Sequence, residues 1–215
     1  MSFYRKEYLE LKSHCEKQHI SLVAVSKMRT ESEIMAAYNE GQFDFGENYV
    51  QELIVKAEAL PKDIRWHFIG HLQTNKVKFI ASFVHLFHGV DNGKLLSALN
   101  KQALKLNKKI NCLLQVHIAR EETKFGFSEQ EITKIEFNKY PSLNICGLMG
   151  MASFTDDNTQ VRNEFRQLHS LFNILKKAHP QFTILSMGMS GDYKIAIEEG
   201  STMIRVGSLI FGERS

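Results

Sequence analysis

The sequence predicts a (β/α)8 TIM barrel with one additional helix at its N-terminus. Helical and strand patterns alternate along the whole chain, and eight strand–helix pairs follow the first helix. The predicted strands are short apolar runs rich in β-branched residues, as expected for strands that are buried on both faces. Strict alternation indicates a parallel sheet with helical crossovers, and eight units can close into a barrel. A doubly wound open sheet is the structural alternative.

Each element has a local signal in the sequence. The first helix, over residues 3–18, carries apolar residues at spacings of three and four. The helix over residues 31–39 follows Thr30, which forms a predicted capping box with Glu33, and Pro61 ends the helix over 49–60. The predicted strands are 21–27, 42–48, 64–70, 83–90, 110–118, 143–150, 182–188 and 201–207. The other predicted helices are 75–81, 94–106, 129–138, 158–178, 192–198 and 208–214.

Composition places the chain among ordinary globular proteins. Its 215 residues suit one domain over residues 1–215, and 43% hydrophobic with 24% charged residues argue against disorder. The net charge of +3 is small and the lysines are dispersed, so neither a nucleic-acid partner nor a membrane partner is expected. Three distant cysteines argue against a disulfide framework. No signal peptide or spanning helix is predicted, so we expect a cytoplasmic protein.

Lys27 is the first candidate for chemistry. Functional groups of a TIM barrel gather at the carboxyl ends of its strands, and Lys27 follows the buried strand LVAVS. Burial of a lysine amine favours its neutral, nucleophilic form, which suits Schiff-base chemistry. The alternative is a lysine that extends from the strand end into solvent.

Two stretches near the C-terminus have the character of a phosphate site. MGMSGD (187–192) and RVGSLIFG (205–212) each place small residues between a strand and a short helix, where backbone amides can meet an anion. TIM barrels often bind phosphate after strands seven and eight, and Ser190 and Ser208 can add hydroxyl donors. These glycines can also simply form tight turns, but two such loops on adjacent strands favour phosphate.

Arg205 lies inside the predicted eighth strand, two residues before Gly207. Alternation along the strand places its side chain inside the barrel and that of Ile204 outside. A buried arginine needs a partner. The candidates are an acidic side chain such as Glu47 and a hydrogen-bond acceptor on a ligand.

The histidines do not form a recognisable metal site. His67 and His71 straddle a strand end rather than sharing a helix face, and alternation predicts His85 and His88 on opposite faces of one strand. No metal is therefore predicted. His67 and His71 are expected to line a pocket or to bind backbone groups.

Seven stretches together resemble the YggS/PLPBP (PROSC) family of pyridoxal phosphate homeostasis proteins. They are AVSK (24–27), FGENYVQE (45–52), WHFIGHLQTNK (66–76), EETKFGF (121–127), GLMGM (147–151), LSMGMSGDYKIAIEEGST (185–202) and IRVGSLIFGER (204–214). The resemblance implies the barrel of the alanine racemase N-terminal domain, which is fold type III of pyridoxal 5′-phosphate (PLP) proteins. It also implies a protein that binds PLP and acts in vitamin B6 homeostasis without strong catalysis of its own.

The resemblance assigns residues to the cofactor site. They are Lys27, as the lysine that binds the PLP aldehyde; Arg205, near the pyridine nitrogen; Met189, Ser190, Gly207 and Ser208, at the phosphate; and Asn48 and His67, lining the pocket. The chain departs from the family pattern at 90–92, where Val-Asp-Asn replaces VDS or LDS, and at 115–117, where Gln-Val-His replaces QVN. These departures concern the edges of the pocket.

An arginine at the pyridine nitrogen argues against strong catalysis. Catalytic PLP enzymes often place an acidic residue there, which keeps the nitrogen protonated as an electron sink. An arginine can only donate a hydrogen bond, so it leaves the nitrogen neutral. Alanine racemases resemble this arrangement but add a second β domain and a tyrosine base from a partner subunit. Because residues 201–215 complete the barrel, that domain and its dimer contacts are not expected, and a monomer is.

Three functions follow from these residues. The first is a carrier that holds PLP on Lys27 and passes it to apo-enzymes that depend on it. The second is a PLP-dependent amino-acid racemase, which needs a second acid or base such as His67 or His117 opposite Lys27. The third is an aldolase-type barrel that uses Lys27 without a cofactor.

Overall fold

Eight apolar segments form parallel strands that close into one barrel in chain order. The computed structural model describes residues 3–121 and 125–213. The strands are β1 (Ser21–Val25), β2 (Asp44–Glu47), β3 (Arg65–Phe68), β4 (Leu86–Val90), β5 (Ile110–Val116), β6 (Leu143–Gly150), β7 (Ile184–Ser186) and β8 (Met203–Val206). Because β8 pairs with β1 in parallel, the predicted TIM barrel is confirmed and the open-sheet alternative is wrong.

Helices surround this barrel, and α1 precedes the first strand as predicted. They are α1 (Arg5–Lys17), α2 (Glu31–Asn39), α3 (Val50–Ala59), α4 (Val77–Ile80), α5 (Gly93–Lys105), α6 (Glu129–Ile132), α7 (Asn158–Ala178), α8 (Tyr193–Glu198) and α9 (Ser208–Phe211), with 3-10 turns at Thr74–Lys76 and Phe137–Lys139. Within the described residues, no helix is both long and apolar enough to cross a membrane.

Local signals account well for α2 and poorly for α6. Thr30 and Glu33 form the predicted capping box at the start of α2. The helix predicted over 129–138 is wrong in extent, because α6 ends at Ile132 and a 3-10 turn follows only at Phe137. The Phe137 ring lies 4.1 Å from the ring of His179, just after α7. This tertiary contact explains why the helix does not continue beyond Ile132.

Alternation along each strand separates an outer core from the barrel interior. On β8, Ile204 packs into the large core between sheet and helices, whereas Met203 belongs to a small interior cluster with Val23 and Leu113. Arg205 therefore lies inside the barrel, as predicted. The register between β5 and β6 shifts at Cys112, and Gly147 (φ +152°) allows this because a Cβ there would lie 1.9 Å from the Ile184 carbonyl oxygen.

Candidate functional site

A cavity of about 370 Å³ opens where β1, β7 and β8 end. This volume lies within the range of small-molecule sites. Five of the seven residues predicted for the cofactor site line it, and they are Lys27, Ser190, Arg205, Gly207 and Ser208. The fold thus brings together residues that are up to 181 positions apart in the sequence, from Lys27 to Ser208.

The turn that carries Lys27 is anchored on both sides. Before the lysine, the Ser26 hydroxyl donates to Glu47 Oε1 at 2.6 Å. After it, the amide of Met28 donates to Glu52 Oε1 at 2.5 Å. Met28 has a left-handed backbone conformation (φ 60°), which is costly for a residue other than glycine. These anchors hold the strained turn, and with it the base of the Lys27 side chain.

A buried lysine joins the two anchors. Lys56 Nζ donates to the Ser26 carbonyl oxygen at 2.7 Å, to Glu47 Oε1 at 2.8 Å and to Glu52 Oε1 at 2.6 Å. All three ammonium hydrogens therefore have acceptors. Burial raises the pKa of Glu47 despite Lys56 beside it. We call Lys56, Glu47 and Glu52 the Lys56 cluster; it positions the Lys27 turn, and sequence reasoning did not find it.

The two predicted phosphate loops contact each other. The amide of Gly207 donates to Ser190 Oγ at 3.3 Å, which links the loop after β8 to the loop after β7. Asp192 Oδ1 accepts from the Met189 amide at 2.5 Å and so ties the first loop to itself. A Cβ built on Gly191 would meet nothing within 4 Å, so this glycine leaves open space at the cavity wall.

Arg205 is buried and binds neutral acceptors. Its Nη1 donates to the carbonyl oxygen of Ser186 at 2.9 Å and to Ser186 Oγ at 2.7 Å, and its Nη2 donates to the Gly150 carbonyl oxygen at 3.1 Å. Glu47, one of the two candidate partners, does not bind Arg205, because its Oε1 binds Ser26 and Lys56 instead. Burial lowers the Arg205 pKa to about 10, so the side chain remains a cation at neutral pH.

Two of the five N–H groups of Arg205 have no acceptor among the described residues. Since Arg205 lines the cavity, a ligand there can supply the acceptor. Asn48, which follows β2, is not among the residues that line this cavity, although its buried Oδ1 accepts no hydrogen bond within the described residues. An amide can flip to present its nitrogen instead, so Asn48 can bind either a donor or an acceptor.

The comparisons with known proteins agree with this geometry. The family described as "Alanine racemase, N-terminal domain" matches residues 4–215. The pyridoxal phosphate homeostasis protein of Pasteurella multocida is 40% identical over 91% of this chain and 87% of its own length. That of Vibrio alginolyticus is 39% identical over 96% and 92%. The chain belongs to the family of pyridoxal phosphate homeostasis proteins.

Solved structures extend the likeness within and beyond this family. PipY of Synechococcus elongatus, a structure with PLP bound, superposes with a TM-score of 0.85 at 33% identity, covering 96% of this chain and 99% of PipY. Alanine racemase of Clostridium difficile has a TM-score of 0.74 at 14% identity, covering 94% of this chain and 55% of the racemase. At that identity the second likeness shows the shared barrel alone.

One departure from the family pattern has a structural explanation. Asn92 stands where the resemblance predicts a serine, and its Oδ1 accepts from the Leu95 amide at 2.9 Å as the N-cap of α5. Asparagine and serine are about equally good at this position. The replacement therefore preserves the helix start. Within the motif at 121–127, residues 122–124 lie outside the described residues, as does Arg214 at the end of the last motif.

His67 does not line the cavity that contains Lys27, which corrects the prediction from the sequence. Its Nε2 lies 3.0 Å from Asp44 Oδ1 and its Nδ1 lies 2.9 Å from His88 Nε2. It lines a separate cavity of about 350 Å³ at the opposite mouth, where the strands begin. The family motif WHFIGH places His67 within β3, and strand alternation alone does not tell at which depth of the barrel its ring lies.

His71 lines a cavity as expected, whereas His85 and His88 differ from expectation. The rings of His85 and His88 both lie near His67, with centroids 5.5 and 5.1 Å away, so their prediction on opposite faces is wrong. His85 precedes β4, and the register of β4 is irregular, so simple alternation fails. His71 binds Asp91 Oδ2 at 2.7 Å, and His117 binds the Glu121 carbonyl oxygen at 2.9 Å. Among the described residues, no three His, Cys, Asp or Glu side chains converge as metal ligands.

Proposed function

We propose that this chain binds pyridoxal 5′-phosphate through a Schiff base with Lys27 and acts in intracellular PLP homeostasis as a carrier of the cofactor. One observation carries the proposal: Lys27, Arg205 and both small-residue loops line a single cavity. The names of the relatives and the PLP-bound PipY structure support the same cofactor. The proposed site consists of Lys27, Ser190, Arg205, Gly207 and Ser208, with Asn48 included on the family resemblance; we leave His67 out because it lines the cavity at the strand starts.

The residues present fit the chemical groups of PLP. The lysine amine suits the aldehyde, and the open space beside Gly191 suits the phosphate. Arg205, which lines the cavity, offers N–H donors to the pyridine nitrogen.

The same residues favour holding the cofactor over catalysis with it. Bound PLP supplies an aldehyde for lysine and a ring that can accept electrons. Arg205 remains a cation and can only donate, so it holds the ring nitrogen without protonating it. The Lys56 cluster orients the Lys27 turn, and the two loops hold the anionic end.

Neither candidate for the second acid or base of a racemase lies at the cavity that contains Lys27. His67 lies at the opposite mouth, and His117 lines a different cavity together with Ser128 and Glu131. Chiral analysis of amino acids incubated with the PLP-loaded protein tests this alternative. Inversion above the level of a Lys27→Ala control would revive it. An aldolase-type barrel leaves the buried cation of Arg205 at the cavity without a ring nitrogen to bind, so the cavity favours it least.

An absorbance spectrum with added PLP tests the proposal directly. Wild type should show a visible Schiff-base band, and Lys27→Ala should lose it. Lys194→Ala, at an exposed lysine after the β7 loop, is the matched control and should keep the band. A band that persists in Lys27→Ala means that another lysine forms the Schiff base. The absence of a band in wild type refutes the cofactor assignment and leaves the aldolase-type barrel as the leading alternative.

The carrier role extends this proposal to partners and location. We propose that the acceptors are apo-enzymes that use PLP, and that the chain is a single-domain cytoplasmic monomer. Transfer is measured as reactivation of an apo-enzyme by the loaded protein, compared with a dialysis-separated mixture in which only released PLP can cross. Equal rates in the two arrangements contradict a carrier. Light scattering after size-exclusion chromatography measures the oligomeric state.

A further inference from the structure

A row of polar side chains, all buried except Asp44, connects the cavity that contains Lys27 to the opposite mouth of the barrel. Arg205 Nη1 lies 2.7 Å from Ser186 Oγ, and Ser186 Oγ lies 3.1 Å from His88 Nδ1. His88 Nε2 lies 2.9 Å from His67 Nδ1, and His67 Nε2 lies 3.0 Å from Asp44 Oδ1. We call these five residues the interior chain. None of them has a role in the proposed chemistry except Arg205.

With one hydrogen on each histidine ring, the Asp44 end of the interior chain determines the direction of its hydrogen bonds. Arg205 can only donate, so Ser186 Oγ accepts from it and still has its own hydrogen, which it can donate to His88 Nδ1. At the other end, burial alone would raise the pKa of Asp44, but hydrogen bonds from Arg65 and His67 outweigh it and lower that pKa. Asp44 is thus a carboxylate that accepts from His67 Nε2.

The middle of the interior chain then has a single consistent arrangement. Burial holds the pKa of His88 well below its usual value, so the ring is neutral and carries one hydrogen. Because the His67 hydrogen lies on Nε2, facing Asp44, His67 Nδ1 is an acceptor; the His88 hydrogen is then on Nε2, and His88 Nδ1 accepts from Ser186. Both histidines are therefore Nε2–H tautomers, and each donor meets an acceptor.

This arrangement links a buried cation to a distant anion. All hydrogen-bond acceptors of Arg205 among the described residues are neutral oxygens; the charge of Asp192 raises the Arg205 pKa but does not offset the effect of burial, which lowers it. Hydrogen bonds in a row polarise one another, so the Asp44 carboxylate strengthens the acceptor that Ser186 presents to the guanidinium. With Nη1 fully engaged, only one Nη2–H and Nε–H remain for a ligand.

We propose that His88 is a positioning residue for Arg205, and that the interior chain holds the guanidinium against the cofactor ring from the opposite end of the barrel. The positioning of the ring rests on the proposed function, since it requires PLP in the cavity. The order of the protons does not, because every atom that determines it belongs to the protein.

The first test measures the tautomers in the unmodified protein without cofactor. Nitrogen-15 NMR of the labelled histidines separates Nε2–H from Nδ1–H rings by their chemical shifts. We expect His88 and His67 to be Nε2–H tautomers at neutral pH. A proton on His88 Nδ1 overturns the proposal, because the hydrogen bonds would then no longer run in one direction from Arg205 to Asp44. This measurement needs neither PLP nor a variant.

The second test measures how the cofactor is held. His88→Leu should release PLP about fivefold faster than wild type, the effect of one neutral hydrogen bond, and shift the nitrogen-15 resonance of the bound pyridine ring. His88→Asn, whose Oδ1 can accept near the former Nδ1, should restore much of both. His85→Leu is the matched control: this histidine also lies beside His67, but its side chain makes no hydrogen bond within the described residues.

The outcomes separate the two proposals. Suppose that wild type binds PLP and that His88→Leu and His85→Leu show the same PLP release rate and the same ring-nitrogen resonance. This result overturns the positioning role and leaves the proposed function intact. No PLP band in wild type overturns the proposed function and the positioning of the ring together, whereas the tautomer measurement still decides the proton order. If His88→Leu does not fold, Ser186→Ala removes one hydroxyl from the same row and should speed release similarly.

Discussion

The two mouths of the barrel have cavities of similar size but different chemistry. The cavity at the strand ends measures about 370 Å³ and the one at the strand starts about 350 Å³. At the strand starts, Asp44 binds both Arg65 and His67, so the charged groups satisfy one another. At the strand ends, Arg205 retains two N–H groups without acceptors among the described residues. The comparison teaches that unsatisfied polar groups distinguish a ligand site better than volume does.

The mouths also differ in what supports them. In the Lys56 cluster at the strand ends, Lys56 and Glu47 are buried, at 5% and 0% exposed, and only Glu52 is partly exposed. The Asp44–Arg65 pair at the strand starts is half-open, with the Arg65 side chain 47% exposed. Charges that are removed from water need their partners, whereas exposed pairs contribute little. Substitutions at the strand ends should therefore have larger effects than equivalent ones at the strand starts.

The largest expected effect is that of Lys56→Met. It removes the ammonium group but leaves Glu47 buried, so we expect a loss of roughly 3 kcal/mol or more in the free energy of unfolding. PLP binding should weaken as well, because the Lys27 turn loses its anchors. Urea unfolding measures the first effect. Lys62→Met, at an exposed lysine near α3, is the control, and equal losses in the two variants would contradict the role of the cluster.

Asp44→Asn tests the mouth at the strand starts, and its effect on the free energy of unfolding should depend on pH. The pKa of Asp44 is lowered on folding, so its contribution to stability is complete above the unfolded value of about 4 and is lost as the pH falls further. We expect wild type to exceed the variant by about 2 kcal/mol near neutrality, the value of a hydrogen bond to a charged group. Unfolding curves from pH 7 to 3 should show the difference shrinking below pH 4. A constant difference would argue against an ionised Asp44.

Gly191→Val tests the open space that we assign to the phosphate. The added side chain meets no protein atom at its Cβ, so stability should hardly change, but PLP affinity should fall about tenfold or more. Titration of the visible band measures the affinity. Gly93→Val is the matched control, because its Cβ also points into open space but away from this cavity. Unchanged PLP affinity in Gly191→Val would contradict the assignment of the phosphate to this loop.

The smallest expected effect is that of Arg65→Ala. It breaks an exposed pair, and Asp44 keeps its bond to His67, so we expect a loss of about 0.5 kcal/mol, within the range of surface ion pairs. High salt should reduce the difference further. Urea unfolding at low and high salt measures both. A loss as large as that of Lys56→Met would erase the proposed contrast between the two mouths.

Local patterns explain which parts of the molecule were predictable. The bounds of α2, α7 and β6 match the prediction, because each has its own start signal or apolar period. The extent of α6 does not, because Phe137 packs against His179 from a distant segment. The same contrast holds for function. Lys27, Ser190 and Gly207 stand at strand ends that alternation identifies, whereas Lys56 lies on a helix and has no motif of its own.

By itself, the sequence determined the barrel, the extra helix, the interior position of Arg205 and the small-residue loops beside it. These follow from alternation and from turn chemistry, which act between residues close together in the chain. Only the tertiary structure decided the partners of these residues. Arg205 binds Ser186 rather than Glu47. His67 binds Asp44 and His88, and Lys56 binds the Lys27 turn. Partners across a barrel depend on strand register and on the depth at which each side chain lies. Bulges in β4 and β6 change both, and local periodicity does not record them.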